Sequence, residues 1–303
     1  MFPERIYLNW NSKKDWTLSF TDKTVNDLNF ITEVNLRSIK KPLIVSGKII
    51  NNFCKITEID NISKKIHHTP LLKSNIQKAI RLGKTEEALV SSLNLIQRDI
   101  INFMRRLLII CIEDVGAIPD NYPLLVFILM AYPNIEITNE IIQTLLITVY
   151  HLSKYPKKYY PSSNIDTLDY DNYDYSDPIT VSLIIASEYG GFKGDIALYN
   201  KMINSPDRKI IKIKYGELLL TRTICKLDII PSAVDFHCFP WIIDKISEEC
   251  NLKGDTVKSL IWNNSSKLNY REPHEIRDKE VWGIVTKIYD KIVKQILEKI
   301  YLK

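Results

Sequence analysis

No uninterrupted apolar run in this 303-residue chain reaches the length of about 18 residues that crosses a bilayer as a helix, so no membrane partner is expected. Nor is a secretory leader expected. MFPERIYLNW places charge and Trp where an apolar stretch would be needed, which predicts an intracellular protein, cytoplasmic or nuclear. The five cysteines are widely separated and never form C-x-x-C, a usage that suits a reducing compartment and neither a disulfide framework nor a zinc ribbon. No metal site and no cofactor follow from the spacing of the remaining ligand types. His67, His68 and His151 have no Cys or carboxylate at metal-ligand spacing and read as structural. Charge of one sign does not dominate: the net charge of +5 and the isoelectric point near 8.7 permit nucleic-acid contact without requiring it. What is present is an ordinary globular composition, 45% hydrophobic and 25% charged, enough for one large core or two moderate ones. Heavy use of Ile, Lys and Asn fits an AT-rich genome, viral ones included.

Helix period, caps and an unusual charge pattern coincide between Leu71 and Gly116. Leu72, Ile76 and Ile80 recur every four residues, Gly83 ends that helix and Thr85 can cap the next. Leu89, Leu93 and Ile96 carry a second stripe, and Arg98-Asp99 marks a break before the third. There Ile101, Met104, Leu108, Cys111 and Val115 form one apolar row beside Ile100, Phe103, Leu107 and Ile110. So wide a stripe predicts a helix buried on most of its circumference. Arg105-Arg106 interrupts it, and Glu113-Asp114 falls in the last turn, before Gly116 and Pro119 stop it. Carboxylates there oppose the helix dipole, at about 0.3–1 kcal/mol if exposed. Arg106 and Glu113 share a face but stand roughly 10 Å apart along the axis. Each is expected to meet another helix or another chain.

The run HTPLLKSNIQKAIRLGKTEEAL, then FMRRLLIICIEDVG, then an apolar helix and ITNEIIQTLLITVYHLSKYPK resembles the C-terminal helical region of the MgsA/RarA family. These are clamp-loader-like AAA+ ATPases linked to replication and recombination and related to the Werner-helicase-interacting protein. The resemblance covers about residues 66–158, and its most specific part is the RRL to EDVG run. In the family a His, a basic residue, a double Arg and Glu-Asp-x-Gly recur in order. His68, Arg81, Arg105, Arg106, Glu113, Asp114 and Gly116 match them here. The resemblance implies a collar that brings subunits together, with Arg105, Arg106, Glu113 and Asp114 as partner or oligomer contacts. It implies partners too: further copies of the chain, DNA, or a replication or clamp-loader ATPase.

The ATPase domain that precedes this region in the family is missing from the sequence. Gly83-Lys84-Thr85 spells the end of a phosphate-binding loop, but such a loop needs a Gly five residues earlier, after a strand. Position 78 is Lys, within a helix, and no other segment offers G-x-x-x-x-G-K. The chain is therefore not expected to hydrolyse a nucleotide by the family's mechanism.

Residues 1–62 differ in texture. RIYLNW, WTLSF, PLIVSGKII and FCKITEI read as strands, the last two flanking Asn51-Asn52 as a hairpin turn. Trp10 and Trp16 around Lys13-Lys14 offer either a base-stacking platform or, the simpler reading, two rings packed under a hairpin. After Pro119, LLVFILMAY is too continuous to face water, and Thr138 caps a helix whose Ile141, Leu145, Thr148 and Leu152 face inward until Pro156. Residues 157–178 are rich in Tyr and Asp and read as a linker or surface loop.

Beyond it, Asp177-Pro178 starts a helix, Asp195 to Asn204 forms a short one, and RKIIKIKYG alternates Ile211, Ile213 and Tyr215 with Lys212 and Lys214. That row of lysines suits phosphate or a solvated edge equally. In SAVDFHCFPWII, Asp235-x-His237 resembles the opening D-x-H of metal-dependent phosphoesterases, and Cys238 is a nucleophile only if a base takes its proton. No G-D-x-x-D and no Asn-His pair follow, which favours a structural role, His237 tying Asp235 to a neighbouring helix. Asn263, Asn269 and Arg271 could hydrogen-bond a phosphodiester. In the C-terminal helix Val281, Val285, Ile288, Ile292 and Ile296 form the apolar face, with Lys287, Lys291, Lys294 and Lys299 around the rest.

The sequence thus predicts a mainly α protein: a clamp-loader-collar-like helical bundle with a small β-containing N-terminal segment and a second helical region. Its expected divisions are 1–62, 63–156, 157–178 and 179–303. The expected role is a non-ATPase accessory protein of DNA replication, repair or recombination that oligomerises and contacts DNA through Lys212, Lys214, Asn269, Arg271, Lys287, Lys291 and Lys294. The rivals are a metal-dependent nucleic-acid-processing hydrolase using Asp235 and His237, and a self-assembling scaffold.

Overall fold

The structure, a computed structural model, describes residues 2–12, 15–20, 28–39, 41–49, 68–132, 134–156, 173–189, 196–215, 228–268 and 274–301. In chain order they form β1 (Arg5–Ser12), β2 (Asp15–Phe20), β3 (Phe30–Val34), β4 (Leu43–Ile49), α1 (Thr69–Leu82) and α2 (Thr85–Ile110). A π-helical turn (Cys111–Val115), β5 (Ile118–Pro119), α3 (Tyr122–Ala131), α4 (Asn139–Lys154), α5 (Pro178–Glu188), α6 (Ile196–Ile203) and β6 (Ile210–Ile211) follow. A 3-10 turn (Pro231–Ala233), α7 (Trp241–Cys250), α8 (Gly254–Ile261), a second π-helical turn (Trp262–Ser266) and α9 (Lys279–Tyr301) complete it. The fold is mainly α with a small N-terminal sheet. Among the described residues no helix is long and apolar enough to cross a membrane. The turn at Asn51-Asn52 and the second strand of the expected hairpin, Lys13-Lys14, His67, most of the Tyr/Asp segment, and Asn269 and Arg271 lie outside the described residues.

The chain forms two compact units, and neither is one continuous stretch. The first joins 1–60 to 99–219 and the second joins 61–98 to 220–303. Two of the three cuts fall inside the stretches 63–156 and 179–303 that the sequence suggested as bodies. One of them coincides with Asp99, whose backbone (φ −158°, ψ 80°) interrupts α2 where Arg98-Asp99 predicted a break. Asp99 then caps the helix that resumes, its Oδ1 accepting the Asn102 N–H at 3.0 Å.

In the first unit the sheet order is β2-β1-β4-β3, with β1 and β4 parallel and the other pairs antiparallel. Trp10 faces Trp16 across the β1–β2 pair; Trp10 is 2% exposed and Trp16 half-buried. Strand β3, FITEV, was not anticipated. Behind the sheet lies α3, apolar all round and buried at every residue, as LLVFILMAY required. It packs on β3, β4 and α5, with Phe30 edge-on to Phe127 at 5.5 Å. The fully buried Tyr122 and Tyr199 meet hydroxyl to hydroxyl at 3.2 Å. Thr138 caps α4 and Asp177 caps α5, both as expected.

The second unit is helical throughout its described part. His68 caps α1 through Nδ1, and Gly83 closes it in the left-handed conformation, φ 72°. Helix α9 buries Val285, Tyr289, Ile292, Val293 and Ile296. That stripe is rotated from the expected one: Val281 and Ile288 are only half-buried because Tyr289 and Val293 occupy the core side. Tyr289 donates its hydroxyl to Val234 O at 2.8 Å.

Candidate functional site

Asp235 is the hub of the second unit. It is 1% exposed, and its carboxylate is surrounded by donors from three parts of the chain. Oδ2 accepts from Lys78 Nζ on α1 and from Ser266 Oγ on the second π-helical turn, both at 2.5 Å. Oδ1 accepts the His237 N–H at 2.9 Å, and His237 Nδ1 lies 3.3 Å away. Lys78 also reaches Ser74 and Ser266, while Arg81 donates to Ser266 O at 2.8 Å. Burial alone would raise the Asp235 carboxyl, but the His237 hydrogen bond, then the Lys78 charge and the hydroxyl of Ser266, hold it well below the usual range. Burial lowers the Lys78 ammonium against the pull of Asp235. The result is an internal ion pair with its hydrogen-bonding capacity filled.

One turn of α1 earlier, Asn75 performs the neutral version of the same task. Its amide donates to Ser91 Oγ at 2.7 Å and Asp228 O at 2.9 Å, and its Oδ1 accepts the Ile230 N–H at 2.9 Å. Asn75, Lys78 and Arg81 recur at intervals of three along a buried helix face, which is the signal in the sequence that could have found them.

This chemistry alters the expectation for Asp235, His237 and Cys238. The two ends of Asp-x-His do meet, but Lys78 and Ser266, rather than His237, tie Asp235 to neighbouring helices. Both carboxylate oxygens are taken up by protein donors, which leaves Asp235 poorly suited to ligate a metal. Among the described residues no group of three His, Cys, Asp or Glu could hold one. The Cys238 thiol is buried, donates to Ala233 O at 3.5 Å, and is pushed up to about 11 by that burial. A thiol so far from ionisation is not an activated nucleophile.

His237 stands differently, with 54% of its side chain exposed at the outer end of the hub. Its ring is 4.1 Å from that of buried Phe236 and 5.5 Å, at 61°, from Trp262. Two residues on, Phe239 stacks on His68 at 4.7 Å and meets Trp241 at 6.4 Å and 67°. Trp241 and Trp262 remain 46% and 39% exposed. Lys258 places its ammonium 5.8 Å from the centre of the Phe236 ring.

The remaining nominated residues are dispersed. In the first unit Asp114 is 2% exposed, interior rather than on a face open to a partner; Arg105 lies over the Tyr189 ring at 5.9 Å, and Arg106 and Glu113 are half-buried. Lys212 and Lys214 point outward while Ile211 and Ile213 are buried, as the alternation required. Lys212 faces Asp120 at 3.8 Å, and the Lys214 N–H donates to His151 Nε2 at 3.1 Å. In the second unit Lys287, Lys291 and Lys294 are exposed on α9, and half-buried Asn263 bonds Ser259 and Lys267.

Charge is divided unequally. The second unit's sequence holds 21 Lys and Arg against 14 Asp and Glu, a formal +7, whereas the first holds 20 against 22, a formal −2. Comparison with known proteins finds no matching family model, no matching curated protein and no matching solved structure.

Proposed function

We propose that this chain is a non-ATPase accessory protein that works beside nucleic acid, in replication, repair or recombination, and touches it through the second unit. The observation that carries this reading is the charge division: the surplus of +7 resides in one unit, where Lys287, Lys291 and Lys294 are exposed along α9. A phosphate backbone is the polyanion such a face attracts. The resemblance of residues 66–158 to a clamp-loader collar supplies the process and the possible association with a replication ATPase. Self-association belongs to the same proposal. Within it half-buried Arg105, Arg106 and Glu113 are the proposed contacts, while the interior position of Asp114 suits the fold of its own unit.

Retention of the full chain on duplex and single-stranded DNA, followed as salt rises, tests this. Affinity should fall steeply, and Lys287→Ala, Lys291→Ala and Lys294→Ala should each flatten the log-log slope on duplex DNA by about 0.9. A parent protein that fails to bind either form at low salt overturns the reading.

A second reading, a nucleic-acid-processing hydrolase, draws support from one contact. Asp235 orients an outward-facing His237 imidazole, the arrangement of a general base. Cleavage of DNA or RNA by the purified chain, abolished in His237→Ala, would replace the accessory role. Equal background in both proteins removes it.

A further inference from the structure

We propose that the ring cluster around His237 is a stacking platform for the bases of single-stranded nucleic acid, a refinement that rests on the second unit being the nucleic-acid-contacting body. Tryptophan is highly buried on average, yet two of this unit's tryptophans, Trp241 and Trp262, are 46% and 39% exposed. They are not scattered. Trp262 joins His237 at 5.5 Å and Trp241 joins Phe239 at 6.4 Å. His237 and Phe239 are two residues apart and so within about 7 Å along the backbone.

Both contacts are edge-on, at 61° and 67°, so in neither pair is a ring laid flat on the tryptophan, and each indole keeps a large part of its surface exposed. Any base has a face to offer them, which makes such sites tolerant of sequence. The His237 ring of the platform is also fixed in advance. Asp235, itself locked by Lys78 and Ser266, lies 3.3 Å from the His237 ring, so little side-chain freedom remains to be lost on binding. Lysines suited to phosphate flank the rings: Lys258 one turn before Trp262, and exposed Lys267 five residues after it. Asp235, the carboxylate 3.3 Å from the His237 ring, is buried and paired with Lys78.

The test uses the full chain with labelled oligo-dT and a duplex of equal length at one salt concentration. Trp262→Ala and Trp241→Ala should each weaken oligo-dT binding about tenfold or more. Trp262→Phe should retain most of the affinity, and duplex binding should change far less. Both rings are at the surface, so the variants should fold, which circular dichroism checks. Oligo-dT should also quench the tryptophan fluorescence of the parent, and less so once both rings are gone. Alanine variants that bind oligo-dT as tightly as the parent overturn the platform, the result expected if the rings serve a protein partner instead. Salt-dependent DNA retention would then still stand for the basic unit, whereas a parent that binds no DNA removes both.

Discussion

Lys78 Nζ and Asp235 Oδ2 lie 2.5 Å apart although 157 positions separate the two residues in the chain. Both side chains are removed from water, 7% and 1% exposed. Taking two charges inside costs several kcal/mol each, and their attraction offsets this only when the remaining hydrogen bonds are made. Ser266, Ser74 and the His237 N–H make them here. The pair therefore specifies which segments meet more than it adds net stability.

Breaking it from one side leaves a buried charge alone. Asp235→Asn and Lys78→Met should each destabilise the second unit by about 3–5 kcal/mol in urea denaturation. The combined Lys78→Met, Asp235→Asn protein should lose less than the sum of the single losses. Strict additivity would show that the two side chains do not act as a pair.

Acid should find the same weakness. The Asp235 carboxyl is held below its unfolded value of about 3.9. Its contribution is complete above that value and disappears as pH falls below it. Thermal unfolding followed by tryptophan emission should show a loss of stability beginning near pH 4 and deepening toward pH 2. Asp235→Asn should flatten that slope. A parent and variant with parallel pH profiles would remove Asp235 as the cause.

Asn75 satisfies the Ile230 N–H and donates to Ser91 and Asp228. In Asn75→Ala the buried Ser91 hydroxyl and Ile230 N–H are left without it, at about 1–3 kcal/mol for each that finds no substitute. Hydrogen exchange should report it most directly, through faster exchange at Ile230 than at the apolar core of α9.

At the interruption of α2, Asp99→Ala removes the carboxylate that accepts the Asn102 N–H. Loss of a cap of this kind costs about 0.5–2 kcal/mol. Asp99→Ser should recover most of it, because a hydroxyl accepts the same bond. Equal stability of parent and alanine variant would show that the cap contributes nothing.

Much of the fold was legible because its signals are local. Gly83, Thr138 and Asp177 act on their own turns, and the wide stripe from Ile100 to Ile110 needs only a 3.6-residue period, whereas the π-helical turn Cys111–Val115 that continues it leaves no such mark. Strand β3 escaped notice because Phe30–Val34 is short and gains its partner from β4, which lies beyond an intervening segment. The stripe on α9 was misplaced for a related reason: Tyr289 turns inward to reach Val234 O, a contact that periodicity cannot foresee. The site divides in the same way. Asp235 and His237 stood out as a pair in sequence, but Lys78, Ser266 and Asn75 did not, since a buried lysine and a surface lysine look alike until the chain is folded. The ring cluster was hidden because Trp262 comes from a different element than His237 and Phe239.

The interleaving of the two units has a consequence for biosynthesis. Residues 61–98 leave the ribosome ahead of nearly everything they pack against, and 121 further residues must be translated before position 220 begins to arrive. At about 5–20 residues per second that is a wait on the order of ten seconds. During it the nascent segment carries Leu71, Leu72, Ile76 and Ile80 with no core to enter, while the first unit can already close once residue 219 is free. Cells making this protein should therefore shield that amphipathic helix with a chaperone until translation ends.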